Sequence, residues 1–224
     1  MAHDWDRRVV FAGLGAAALG LGACRPRYEM RFEVEHRFVI DGIQHSVSVA
    51  RRSVRGTYPN WFRFEGSTIK EFQGEAGILE LPGRSPLFML LVNDARYDRR
   101  LIGPELVIEN REGVPRWESD GRNRAYEEFS NGDVSYTLLG HEFPLLAQFS
   151  DLNKPSSSLY FRAEELGNIL PGVELREVVL RATRSRPSSG QVEKFLPWIG
   201  VITGSVNLPR SPEYSKLKSS DFVR

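Results

Sequence analysis

His36 and His45 are the two side chains best spaced to act on one ligand. They lie in two alternating segments, 28–40 and 43–49, separated by Asp41-Gly42, a pair that tolerates the positive φ values of a two-residue hairpin turn. With Ile40 opposite Ile43, His36 faces Val47 and His45 faces Phe38. Both imidazoles then fall on the apolar face as diagonal neighbours. Two neutral imidazoles could bind a metal or sense pH, but a zinc site takes at least three protein ligands. Asp41 points to the other face and supplies no third. The pair therefore reads first as core histidines bonded to backbone or to a carboxylate, and His36 and His45 stand as the only metal candidates. Ser46, Ser157, His141 and Asp151 are raw material for nucleophilic catalysis, yet no G-x-S-x-G elbow accompanies them. Glu127-Glu128 and Asp133 read as surface carboxylates. Asp151 with Asn153 suits an Asx turn, and two such ligands fall short of the six or more oxygens calcium wants. Nothing in this inventory assigns a catalytic residue or calls for a cofactor, so the chain leans away from being an enzyme.

The one cysteine, Cys24, carries a different chemistry. It ends the apolar run 9–22, which follows the polar head 4–8 and is shorter than the about 20 residues a helix needs to span a bilayer. Such a run fits the core of a signal peptide followed by small residues at a cleavage site. Leu21-Gly22-Ala23-Cys24 resembles a bacterial lipobox position by position. That resemblance implies cleavage before Cys24, a thioether from its sulfur to a diacylglycerol, and acylation of the freed amine. Two or three acyl chains anchor a protein stably where one does not. Arg25 follows the cysteine where Asp would signal inner-membrane retention, which favours the outer membrane. Arg7-Arg8 raises twin-arginine export beside the general secretory route, and both stay open. Gly13-Leu14-Gly15-Ala16-Ala17-Ala18 spells a dinucleotide fingerprint, but it lacks the strand–helix context that binding needs and lies in the leader.

Composition narrows the classes further. The formal charge of +1 is unchanged when residues 1–23 are set aside, because Asp4, Asp6, Arg7 and Arg8 cancel. A near-neutral chain lacks the concentrated basic face of a nucleic-acid binder. With Cys24 lipidated, no thiol is left for a disulfide or a zinc–thiolate site. Residues 24–224 must be held together by a hydrophobic core, and their number suffices for one.

The elements that would position these residues are mostly strands. The segment 28–40 places Tyr28, Met30, Phe32, Val34, His36, Phe38 and Ile40 in one phase against a nearly all-charged register, the mark of a half-buried strand. A second hairpin is expected from 69–81 and 87–92 around Pro82-Gly83-Arg84-Ser85-Pro86. Phe88-Met89-Leu90-Leu91-Val92 is apolar on both faces, so it should be a central strand covered on both sides. A strand over 58–64, a charged loop over 94–100, a helix over 119–129 and a strand over 132–139 follow. The linker-like stretch 109–124 suggests a subdivision near 110–120. Further on, 143–149 reads as a strand, 162–170 as a short helix closed by Pro171-Gly172, 173–183 as a strand and 191–195 as a helical turn. Leu196-Pro197-Trp198-Ile199 reads as a plug on the core; exposed instead, Trp198 would anchor a partner. Arg51, Arg52 and Arg55 beside Tyr58 and Trp61 read as a solvated basic loop able to meet anionic headgroups. The fold class is thus α+β, β-rich, with a mostly antiparallel sheet built from hairpins and a few short helices. The expected domains are a signal peptide (1–23), a globular domain (24–204) and a disordered tail (205–224).

Dispersed residues of the last third carry a second resemblance. They are Phe143-Pro144-Leu145-Leu146, Phe149, Asp151, Pro155, Glu165-Leu166, Pro171-Gly172-Val173-Glu174-Leu175, Thr183 and Leu196-Pro197-Trp198. With the first hairpin, Gly74-Glu75-Ala76 and Leu87-Phe88, they make the mature chain similar to a family of uncharacterised proteobacterial envelope proteins. The middle, 94–140, departs most from it. The likeness implies a shared fold and an envelope location, and it brings no reaction or site. The expectation is a structural or binding module in the cell envelope. It faces the periplasm, tethered to a membrane through lipid, with an envelope protein as a further partner. The alternative is a hydrolytic or metal-assisted envelope enzyme using His36 and His45.

Overall fold

The computed structural model describes residues 27–56, 70–93, 100–111, 119–200 and 219–224. The chain divides into two units. Residues 29–53 with 71–224 hold the fold set out below. Residues 1–28 with 54–70 form the other, of which only 27–28, 54–56 and 70 are described.

Strand β1 (Arg27–Ile40) and strand β2 (Ile43–Gly56) form the expected hairpin. Asp41 and Gly42 both take positive φ, 49° and 84°, as a two-residue turn matched to strand twist requires. Period-two alternation sorts β1 cleanly. Met30, Phe32, Val34, His36 and Phe38 are buried, while the opposite register is laced with ion pairs. On that outer face Arg37 bonds Glu35 at 2.9 Å and reaches Glu177 on strand β9 (Val173–Ala182). Nearby, Arg52 bonds Glu29 at 2.9 Å.

Strand β9 pairs antiparallel with β1, and its register shifts between Arg37 and Phe38. Arg37 faces Glu177 and Phe38 faces Leu175, so Arg176 is the extra residue of a bulge. The bulge changes the phase of burial from Val173 and Leu175 to Val178 and Leu180. This is why 173–183 alternates only in part when read as text. Strand β3 (Lys70–Gln73) and strand β6 (Ser135–Thr137) complete a five-stranded sheet ordered β3-β2-β1-β9-β6.

The second sheet is ordered β4-β5-β7-β8, from β4 (Gly77–Leu79), β5 (Leu87–Asn93), β7 (Pro144–Phe149) and β8 (Ser158–Phe161). Every residue of β5 is buried, as its two-sided apolarity requires. Leu87 and Met89 join Leu146 in a core with Phe32, Val34 and Phe38 of the first sheet. Phe88, Leu90 and Val92 join Leu145, Ala147 and Phe149 in a second core on the other face. The molecule is therefore β-rich α+β, two antiparallel sheets with a few short helices.

Several expectations change. The segment 69–81 is not one strand: β3 belongs to the first sheet and β4 to the second, and the chain switches sheets at Gly74-Glu75-Ala76. Gly74 has φ +148°, a conformation that side chains rarely adopt. Helix α1 (Pro104–Arg111) was not expected, although Pro at its first position and Glu105 in its first turn are helix-start signals. It contacts helix α2 (Ser119–Asn131), and both lie in the same unit. Within the stretch expected as a tail, 219–224 are described. Phe222 is fully buried, and Gly74 and Arg224 exchange two backbone hydrogen bonds. An aromatic residue two positions from the terminus finds a ready-made slot beside Phe88 and Phe149. The strand expected over 58–64 and residues 205–218 of the tail lie outside the described residues.

Candidate functional site

The hairpin sets the first ligand candidates on one face but at different depths. His36 is fully buried, and its Nδ1 lies 3.3 Å from the Val47 carbonyl, as the predicted pairing demands. A carbonyl only accepts, so Nδ1 carries the proton and Nε2 is left as an acceptor, without a partner among the described residues. Burial, reinforced by the positive charge of Arg51, holds the imidazole neutral and lowers its pKa to about 3, against a small opposing pull from the Val47 carbonyl. His45 is exposed. It sits near the hairpin tip, where Ile43 is also 65% exposed because β1 and β2 outrun the core there. The two imidazoles thus occupy unlike environments, and no group of three or more metal-ligating side chains occurs among the described residues.

Arg51 is the site residue the sequence placed wrongly. Arg51 and Arg52 stand on β2, not on a solvated loop. Arg52 turns outward to Glu29, whereas Arg51 turns inward and is fully buried. Its Nη1 donates to the Ile102 carbonyl at 3.5 Å, a long bond. Its Nε and Nη2 have no partner among the described residues, nor does the buried Ser53 Oγ two residues on. Gly74 lies directly over the Arg51 stem, and a Cβ there would sit 2.8 Å from Arg51 Cγ. Desolvation pulls the guanidinium down to about 9, so it stays charged at neutral pH. No pattern signal distinguishes Arg51 from Arg52 except its phase, which matches Val47 and Val49.

Glu75, next to Gly74, is a buried acidic residue. Its Oε2 accepts hydrogen bonds from the Gln191 and Val192 amides at 2.8 and 3.0 Å, at the start of helix α3 (Leu166–Ile169)'s successor, helix α4 (Val192–Phe195). Its carboxylate thereby ties the sheet switch to the plug that follows. Leu196 is fully buried in that plug, and Trp198 donates from Nε1 to the Leu152 carbonyl at 2.7 Å while its ring meets Phe149 edge-on. The candidate partner anchor is half-buried, with these contacts to the fold.

The remaining candidates stay apart. Asn153 donates to Asp151 Oδ1 at 3.0 Å, the expected Asx turn. Ser157 Oγ lies 2.7 Å from the Asp151 carbonyl, with no imidazole among its bonds. Glu128 pairs with Arg124 one helical turn away. A groove of about 540 Å³ runs between Val39, Gly140, Phe143, Ala163, Glu164 and Leu175. A hollow of about 200 Å³ lined by His141, Arg162 and Glu164 shares several of its walls. Leu21, Gly22, Ala23 and Cys24 lie outside the described residues. Set against known protein families, curated proteins and solved structures, the chain matches none.

Proposed function

We propose that this chain is a lipid-anchored cell-envelope protein, a structural or binding module held at a membrane surface through Cys24. The observation that carries the reading is the position of the only cysteine, at the end of the apolar run and directly after Leu21-Gly22-Ala23. Among the described residues no helix is long and apolar enough to cross a membrane. In this reading the protein faces the periplasm, and Arg25 directly after the cysteine favours the outer membrane over the inner. The likeness to envelope proteins belongs to the same reading. An enzyme built on His36 and His45 would need both imidazoles to reach one ligand. His36 is bonded inside the hairpin while His45 faces solvent.

Replacing Cys24 with Ser tests the anchor. The wild-type chain, expressed in a Gram-negative host with a labelled fatty acid, should carry label and sediment with membranes. The Cys24→Ser chain should carry none. Acyl label retained by the variant would refute the reading, and capture of the native protein with its envelope partners would then name what it holds.

A further inference from the structure

We propose that Arg51 is the receptor of a buried oxyanion site, taking a single carboxylate or phosphate group on its Nε/Nη2 edge. The two nitrogens without partners among the described residues are the pair that matters. Nε–H and the adjacent Nη2–H project in parallel from one side of the planar guanidinium, the fork that grips carboxylate or phosphate oxygens in two bonds. Nη1, on the other side, is turned to the Ile102 carbonyl. Among the described residues the guanidinium is thus oriented by one weak bond, with its recognition edge unused.

Energetics make an anion the fitting occupant. A fully buried cation without a counter-charge is among the costliest groups a fold can carry. Arg cannot escape by losing its proton at neutral pH. Glu75, the buried acidic side chain beside Gly74, gives its Oε2 to the Gln191 and Val192 amides and makes no ion pair among the described residues. Ser53 adds a buried hydroxyl two residues along the same strand, without a partner among the described residues. His36 presents Nε2 as an acceptor and so contributes no bond to a fully ionised anion. Among the described residues, Gly74 lies against the Arg51 stem and the Ile102 carbonyl against Nη1, both in irregular chain. Gly74 is in turn held by backbone bonds to the C-terminal Arg224. A small anion enters when this cover opens locally, and it leaves slowly.

The test uses the full chain purified in non-ionic detergent and desalted into chloride, with Arg51→Met and Arg51→Lys alongside. Two readouts are taken: anions released on denaturation, measured by ion chromatography, and Tm against added inorganic phosphate or acetate at constant ionic strength. The proposal expects either one retained equivalent of phosphate or carboxylate, or a Tm rise of about 3–5 °C at tenfold excess of anion over its Kd. Which probe acts separates phosphate from carboxylate. Arg51→Met, which keeps the apolar stem, should hold no anion, show no anion-dependent rise, and match or exceed the anion-free wild type in Tm. Arg51→Lys, a point charge without the fork, should bind more weakly, and it carries the test if Arg51→Met does not fold. No retained anion and no anion-dependent Tm in the wild type overturns the proposal. So does an equal response in the Arg51 variants. Neither outcome depends on whether Cys24 is lipidated.

Discussion

Phe222→Ala is the sharpest perturbation of this fold, because a side chain near the C-terminus should cost as much as one from the middle of a core. Phe222 is fully buried in the second core, with its ring 6.1 Å from those of both Phe88 and Phe149. Truncating a buried Phe to Ala costs about 3–5 kcal/mol in lost transfer energy and residual cavity. Two ring–ring contacts, each about 0.5–1.5 kcal/mol beyond area burial, place this site toward the upper end. The backbone bonds Ala76 N to Phe222 O and between Gly74 and Arg224 survive the substitution, so the loss isolates the ring. Deleting 222–224 removes those bonds as well, at about 0.5–1.5 kcal/mol each. Urea unfolding of the full chain, followed by tryptophan fluorescence, reads the difference. Trp198 reports the same layer, since its ring meets Phe149 at 5.7 Å. At a slope of about 2 kcal/mol/M, a loss of about 4 kcal/mol moves the midpoint by about 2 M. A shift below about 1 kcal/mol for Phe222→Ala, or a deletion no worse than wild type, would refute the docking of the tail.

Two further outcomes follow from buried charge and backbone strain. His36 titrates near 6.5 when unfolded and is held down to about 3 when folded. The unfolded chain therefore takes up a proton first, and stability present above pH 6.5 drains at about 1.4 kcal/mol per pH unit as pH falls toward 3. Unfolding free energies measured between pH 7 and 5 should slope less by about one proton in His36→Gln, and equal slopes would contradict the assigned neutral state. Gly74→Ala should lose about 2 kcal/mol or more, combining a φ of +148° with a Cβ 2.8 Å from Arg51 Cγ. Gly140→Ala, with open space around its Cβ, should change little by comparison in the same thermal melt.

Much of the first sheet could be read directly from residue types. Seven alternating positions before Asp41-Gly42 specify a strand, a turn and a return strand, and the turn's φ values and the His36–Val47 contact follow that register. The two-sided apolarity of 88–92 likewise specifies a central strand. Alternation assigns a face, but it is silent on depth along that face. His36 and His45 share a face, yet only His36 reaches the core.

What residue types determine here is local: strand periodicity, turn chemistry, and the single thiol at Cys24 with the lipid chemistry proposed for it. The tertiary structure alone decided that Arg176 bulges, that the chain changes sheets at Gly74, that Arg51 lies inside while Arg52 lies outside, and that Phe222 closes the second core. Each of those depends on a neighbour far away in the chain, such as Phe38 opposite Leu175 or Arg224 bonded to Gly74. Short-range pattern carries no record of such partners. They are selected by how the two cores fill and by where a buried group finds, or fails to find, its complement.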